Sequence, residues 1–547
     1  MGNTFFTETL PTNTRTRNIT SASSNACENE IKTLNTTHLQ KKRLCSGLLA
    51  LFLGVIPLFS VQTSYAQTFS GGDGTYANPY IITTAAELAQ LATFVNAGDT
   101  AYNSKQYKLA NDIDLSAYGA GFNGGKGWIP IGIYNPINPA TNYPFKGAFN
   151  GDSNRITGLY INDTMLFTGT GLFGNTNGAS IYNLTVDNVD IRGGVYVGGL
   201  VGYAYFSSLI NCSSSGNIKR GGYVGGLVGQ MLFNGGILDC YSTCDVNGGG
   251  TYVGGIAGAI EEVSKISNCF STGNVYGSDF IGGIVGTITR LSVLSYCYST
   301  GDITGNQNIG GIAGNGDGAS LTNCYSIGSV TGNRNVGGIL GEFSDVFCCN
   351  LQTTIDCIAL NLSVKGNSSA GRVIGNIIND PMLSNMAFDS ILTQAGDVLW
   401  LNKGADDLDG EDITKGTINA DGTLGGRFTN IVWTTQNGKL PGLFGKTVDM
   451  PPHLRINGDD DVSIKQLTTD NEQLTIYPNP TSGKLTVISS QLSEMGNGVV
   501  IYDVVGQVVS TSAMSPQSPE ATIDISHLAN GLYFLKIDKK TIKIMKQ

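Results

Sequence analysis

Apolar residues between positions 169 and 376 come in short clusters set against glycine, rather than in long runs. GTGLFG occupies 169–174, VGGLVG 197–202 and 224–229, and VGGIAG 253–258. IGGIVG follows at 281–286, IGGIAG at 309–314 and VGGILG at 336–341, with a degraded copy, GRVIGN, at 371–376. The first glycine of each GG pair advances by 27, 29, 28, 28 and 27 residues. A second phrase keeps the same phase: NCSSSGNI (211–218), DCYSTCDV (239–246), NCFSTGNV (268–275), YCYSTGDI (296–303) and NCYSIGSV (323–330). A fixed period of this size marks stacked units, because one unit cannot bury its own apolar face. Segments such as KISNCFS, NVYG and DFIGGIVG are split by Gly, Ser, Thr, Asn and Asp, which predicts three short strands per turn. The architecture expected is a parallel β-helix of roughly 28-residue coils, each pairing with the next at about 4.8 Å. Apolar spacing of three or four residues, the mark of helical repeats, is missing. The GG pair is expected where a strand bends at a corner or another backbone comes close.

These phrases, over roughly 169–341, resemble the GLUG repeats of bacterial surface and adhesin-like proteins. The resemblance rests on the shared phase of two phrases, and it implies an extracellular β-solenoid without implying a reaction. The order DIDLS, WIPIG, FKGAFNG and ITGL within 107–161 also resembles the coils that lead into such repeats. The β-helix is therefore expected over 107–376.

The flanks differ in pattern. Residues 1–40 are polar; Lys41, Lys42 and Arg43 then precede the apolar run LCSGLLALFLGVIPLFSV (44–61). Ser64 and Ala66 place small residues at −3 and −1, so 1–66 reads as a leader and signal peptide cut between Ala66 and Gln67. A transmembrane helix is the weaker alternative, since the run contains Pro57 and is only marginally long enough to span. Over 67–106, TAAELAQLATFVNAG predicts one helix. Thr84 and Glu87 form a capping box, Leu88, Leu91, Ala92 and Val95 share a face, and Gly98 ends it. A lone amphipathic helix before the first coil is expected to cap the open end of the solenoid.

Past the repeats, 377–450 is a mixed segment expected to cap the other end. Within it, GADDLDGED (404–412) offers Asp406, Asp407, Asp409 and Asp412, whose spacing does not match an EF-hand loop; a solvated acidic turn is favoured over a calcium site. Asp112 and Asp114 are similarly either a carboxylate pair or, as favoured, a solvent-facing or turn-capping pair. Residues 451–473 have linker composition. The alternating block 474–547 predicts a small antiparallel β-sandwich of about seven strands. YPNPTSG (477–483), IYDVVGQVV (501–509) and DISHLANGLYFLKI (524–537) resemble, in order, the C-terminal sorting domain of type IX secretion substrates in Bacteroidetes. The motif positions are Tyr477, Pro478, Asn479, Pro480, Gly483, Gly506 and Gly531. The resemblance implies passage through periplasm and outer membrane by the type IX machinery, then release or surface attachment. A carbohydrate-binding sandwich is the alternative for this block.

Composition narrows the function. The formal net charge of −10 with 14% charged residues argues against nucleic acid or an anionic membrane as the main partner. Cys212, Cys240, Cys269, Cys297, Cys324 and Cys357 fall in register, one per coil. Rungs set their Cβ atoms slightly farther apart than a disulfide wants, so a buried column of thiols is expected. Cys240–Cys244 and Cys348–Cys349 break the register and are the pairs whose disulfide state stays open. Metal and cofactor binding are not expected, because the mature chain has only His453 and His527 and no C-x-x-C pair. Alternation puts Tyr241, Phe270, Tyr298 and Tyr325, each following a ladder cysteine, on the opposite face from it. They form either a self-stabilising aromatic ladder or a ligand-facing stripe. No G-x-S-x-G, H-E-x-x-H or phosphate-loop signature is present. The expectation is a non-catalytic, secreted or cell-surface adhesin-like protein with an unidentified glycan or protein partner. A polysaccharide-degrading β-helix enzyme and a purely structural surface component are the alternatives.

Overall fold

The computed structural model describes residues 68–456, apart from 136, 165–168, 345–353 and 379–381, together with 474–477, 481, 483–489, 498–503, 507–513, 520–537 and 540–546. The leader with Ala66 and Gln67, the pair Cys348–Cys349, and Pro478, Asn479, Pro480 and Gly506 lie outside the described residues.

The repeats form a parallel β-solenoid of about 11 turns. A representative coil holds Tyr223–Gly225, Val228–Leu232, Gly236–Leu238, Tyr241–Ser242 and Asp245–Asn247. That is five short strands instead of the three expected from the turn residues. Each pairs in register with the next coil, as in Tyr223↔Tyr252, Val228↔Ala257, Gly236↔Lys265, Tyr241↔Phe270 and Val246↔Val275. The residue before five of the six ladder cysteines sits in the left-handed region, with φ of 52° at Asn211, 55° at Asp239, 56° at Asn268, 55° at Tyr296 and 53° at Asn323. Asn and Asp tolerate that conformation, and their side chains join across rungs: Asn211 donates to Asn183 at 2.8 Å and Asn268 to Asp239 at 3.0 Å.

Inside, each coil adds one residue to each of several apolar columns. One column is Val197, Val224, Val253, Ile281, Ile309 and Val336; another is Leu200, Leu227, Ile256, Ile284, Ile312 and Ile339, all fully buried. The GG pair sits at a corner, as expected. A Cβ on Gly226 would lie 2.2 Å from the Gly255 carbonyl oxygen and 2.2 Å from Ser242 Oγ. The serine column opposite the corner approaches it directly, and Ser214 Oγ donates to the Gly226 carbonyl at 2.7 Å. GG and the serine two residues after the cysteine are therefore one packing unit read twice in the sequence.

The six register cysteines and Cys244 are buried free thiols. Sγ of Cys240, Cys269, Cys297 and Cys324 donates to the carbonyl two residues earlier at 3.1–3.2 Å. Burial pushes the Cys212, Cys269 and Cys324 thiols well above the ordinary range and Cys244 up to about 11. All seven lie buried, out of reach of reagents in the solvent. Alkylation of the native protein should therefore leave all seven unlabelled, and unfolding should expose them together. Peptide mapping that finds any of the seven modified in the native state would contradict the buried ladder.

Both ends of the stack are covered. Helix α1 (Ala85–Asn96) has the capping box Thr84–Glu87 and buries Leu88, Leu91, Ala92 and Val95. It lies in the chain between the paired first rungs Tyr80–Ile82 and Gln106–Leu109. Asp112 and Asp114 are a bonding pair rather than a site: Asp114 accepts from Ser116 N at 2.8 Å, and Asp112 from Arg155 N at 2.8 Å.

At the far end, Asp406, Asp407 and Asp412 of the acidic loop are exposed, as a solvated turn requires, but Asp409 turns inward. Asp409 is 3% exposed and Arg372 is fully buried. Asp409 Oδ1 accepts from Arg372 N and its Oδ2 from Asn402 N, both at 2.9 Å. The Arg372 guanidinium donates to the carbonyls of Asp409 and Gly410 at 2.9 and 2.7 Å, and pairs with Asp412 at 2.5 Å. A short helix α2 (Lys415–Ala420), N-capped by Thr414, follows. The region drawn as linker also begins later than its composition suggests. Leu454 is fully buried and His453 Nε2 lies 2.9 Å from the Leu360 carbonyl, so the cap continues to 456.

The C-terminal block forms two antiparallel sheets. One orders Leu474–Tyr477, Lys484–Ser489 and Glu520–Asp524; the other Val508–Ala513, Gly498–Tyr502, Gly531–Ile537 and Lys540–Lys546. Leu485 and Ile523 of the first meet Val499, Ile501, Leu535 and Ile544 of the second in one core. This is the seven-stranded sandwich expected. Tyr477 pairs with Thr486, and Gly531 opens the third strand of the second sheet.

Candidate functional site

The aromatic residues after the ladder cysteines, left as either a self-stabilising ladder or a ligand-facing stripe, stack on one another and pack against a later segment of the chain. Tyr241, Phe270, Tyr298 and Tyr325 stack at 4.9, 4.9 and 5.2 Å between centroids, with interplanar angles of 3–8°. Their outer side, however, meets the chain's own return segment. Trp433 lies against Tyr298 and Tyr325, Phe428 against Tyr325, and Phe444 against Tyr241 and Phe270. The Tyr325 hydroxyl donates to the Pro441 carbonyl, and Asn430 Nδ2 donates to the Tyr296 hydroxyl at 3.1 Å. Tyr325 is 0% and Tyr298 6% exposed, while Tyr241 and Phe270 are half-buried. The stripe is a seat for residues 428–444. Trp433→Ala should release that strap locally by about 3 kcal/mol, giving roughly 100-fold faster amide exchange within 428–450. Unchanged exchange there would contradict the seating.

A second aromatic row, which the sequence reading passed over, remains open. Tyr196, Tyr223, Tyr252 and Phe280 stack at 5.2, 4.6 and 5.1 Å, with angles of 16–23°. Each lies two residues before a GG pair, so the signal was in the repeat all along. All four are half-buried. The GG corner turns the chain so that the outer faces of two sheets approach. A Cβ on Gly229 would lie 2.5 Å from Val197 N, and the Tyr196 and Tyr203 rings are 5.0 Å apart. Tyr134 stacks on Tyr203 at 4.2 Å. The result is a shallow cleft running along the solenoid axis.

The cleft changes character along its length. At the ring end, Gly169 takes the register position of Tyr196 one coil earlier. A cavity of about 150 Å³ opens there, its lining including Trp128, Pro130, Tyr134, Asp163, Gly169 and Thr170. Beyond Phe280 the same position holds Asn308 and Asn335. Both amides converge on Glu342, at 3.2 and 2.7 Å, and Asn376 adds a third contact at 3.1 Å. Between the ends, Gln230 Nε2 donates to Glu261 at 2.7 Å. Burial, then neighbouring phenols and Glu261, hold the Tyr196 and Tyr223 hydroxyls up at about 12. Those hydroxyls stay protonated at any physiological pH and can both donate and accept. Among the described residues no cluster of three His, Cys, Asp or Glu side chains is placed to hold a metal.

Two family profiles match the chain: the secretion system C-terminal sorting domain over 475–547, and the GLUG motif over 193–219. Among curated proteins, it is similar to the "Putative Gly-rich membrane protein" of Evansella cellulosilytica, 36% identical over 152 residues. That match covers 27% of this chain and 16% of the relative. It is also similar to "Halomucin" of Haloquadratum walsbyi, 35% identical over 134 residues, or 24% of this chain and 1% of that one. The chain thus spans only a small part of these relatives. Among solved structures, one described as "a putative immunoglobulin A1 protease from Bacteroides ovatus" aligns with a TM-score of 0.38 and 17% identity. It covers 69% of this chain and 96% of that one. No helix among the described residues is long and apolar enough to cross a membrane. The chain is a GLUG-repeat β-solenoid ending in a type IX sorting domain, which directs it out of the cell and to the cell surface.

Proposed function

We propose that the protein is a non-catalytic, adhesin-like surface protein whose solenoid holds a partner along the cleft that carries Tyr196, Tyr223, Tyr252 and Phe280. The observation that carries this reading is the cleft itself: four rings from four successive coils, stacked, half-open, and not covered by the strap that seats on the other row. Aromatic side chains offer large contact area at low entropic cost, which suits them to binding faces. The sorting domain supports the reading by delivering the solenoid to where partners are.

The test is binding of the purified secreted chain to glycan arrays and host-matrix proteins, beside the variant Tyr196→Ser/Tyr223→Ser/Tyr252→Ser. Binding that the variant loses while its melting curve stays close to wild type supports the proposal. Cleavage of any offered polysaccharide would replace it with an enzyme, and silence in both assays with a structural role.

A further inference from the structure

From the make-up of the cleft we infer that its ligand is an uncharged polysaccharide lying along the solenoid axis, with one end at the cavity beside Trp128 and Gly169. The inference rests on the surface-binding reading above and names the partner's chemistry.

Three observations converge on it. The first is spacing. The rings recur every 4.6–5.2 Å, so a ligand that uses the whole row must repeat at a similar interval. A peptide strand laid along the axis places same-face side chains about 6.7 Å apart and falls out of step within two rungs. An extended chain of pyranose rings advances by roughly one rung per sugar and stays in step.

The second is the kind of contact on offer. The rings spend their faces on one another, so they present edges and hydroxyls outward. Tyr196, Tyr223 and Tyr252 thus form a file of protonated phenols, each able to donate and accept, which matches a polymer with a hydroxyl on every unit.

The third is charge. No register position of the row from Gly169 to Asn335 carries Lys or Arg, and Arg334 stands one residue outside it at the polar end. Glu261 and Glu342 lie along the cleft, while Asp163 at the cavity is paired with Lys126 at 3.1 Å. An anionic polymer would bring carboxylates or sulfates against Glu261 and Glu342, and no register position of the row offers it a cation. A neutral chain carries no such penalty.

The experiment uses the full secreted chain with three sets of probes: neutral glucan, xylan and mannan; acidic alginate and hyaluronate; and collagen and fibronectin. The decisive variant is Tyr196→Phe/Tyr223→Phe/Tyr252→Phe, which keeps the ring stack and removes only the hydroxyls, with Tyr276→Phe as an exposed control outside the row. Binding to at least one neutral polysaccharide is expected, at least tenfold weaker in the triple variant and unchanged in the control. Affinity for oligosaccharides of that polymer should rise with length until the row is spanned, and then level off. A preference for the acidic polymers, or unchanged neutral binding by the triple variant, would overturn the inference. Binding confined to a matrix protein and lost in the triple variant would overturn it too, yet leave the surface-binding reading standing. Failure to bind all three classes would sink both.

Discussion

Gly255→Ala should destabilise the solenoid by at least about 4 kcal/mol, at the extreme end of single substitutions. The added methyl would sit 2.2 Å from the Gly283 carbonyl oxygen and 2.3 Å from Ser271 Oγ. A serine rotamer can move aside. The carbonyl cannot, because it belongs to the next coil's own corner. In a stacked fold each coil contacts only its neighbours, so a defect here parts the stack in the middle instead of fraying an end. Gly222→Ala is the control. Its methyl would meet nothing closer than Val195 at 3.5 Å, an ordinary contact, and the reduced freedom of the unfolded chain would change stability by less than about 1 kcal/mol. Thermal melts of the two variants decide the matter. If Gly255→Ala melts like Gly222→Ala, the glycine pair is not the steric requirement described here.

The second large effect lies at the cap. Arg372→Met keeps most of the buried volume but strips the buried Asp409 and Gly410 carbonyls of their donors and leaves Asp412 only Lys403, at 3.4 Å; the expected cost is about 2–4 kcal/mol. This loss has a pH signature. Partial burial pushes the Asp412 carboxyl up, but its hydrogen bond to Arg372 and the charges of Arg372 and Lys403 outweigh that and hold it below the ordinary range. A folded-state value below the unfolded one contributes stability that is fully present above the unfolded value of about 3.8. That contribution disappears as pH falls through the folded value. The wild type should therefore lose cap stability on acidification below about pH 4, and Arg372→Met should lose the Asp412 share of that slope. Chemical denaturation at a series of pH values reads both quantities. A variant with wild-type midpoint at neutral pH would show that the arginine does not hold the cap.

The solenoid was legible because parallel stacking depends on one quantity, the period, and the period is written in every unit. Once coils repeat at about 28 residues, like positions must lie over like. The cysteine column, the ring stack after it and the glycine corner then follow from alternation alone. The sorting sandwich was legible for a related reason: its strands are local, alternating and bounded by turn residues. The division of each coil into five strands was less plain. It goes with a left-handed residue before most of the ladder cysteines, and Asn or Asp there is equally at home in a simple turn.

What tertiary structure decided was which faces stay open. Nothing within one coil says that Tyr325 is covered, because its cover is the Pro441 carbonyl, 116 residues away. The same distance effect makes the second half of GADDLDGED a clasp around Arg372, whose guanidinium reaches Asp412 across 40 residues. The open row ahead of the GG pairs is the converse case. Its aromatic residues recur as regularly as those of the covered row, and both rows stack equally well. Only the path of residues 428–444, a segment outside the repeat and free of its period, covers Tyr298 and Tyr325 in one row and leaves the other row without such a cover.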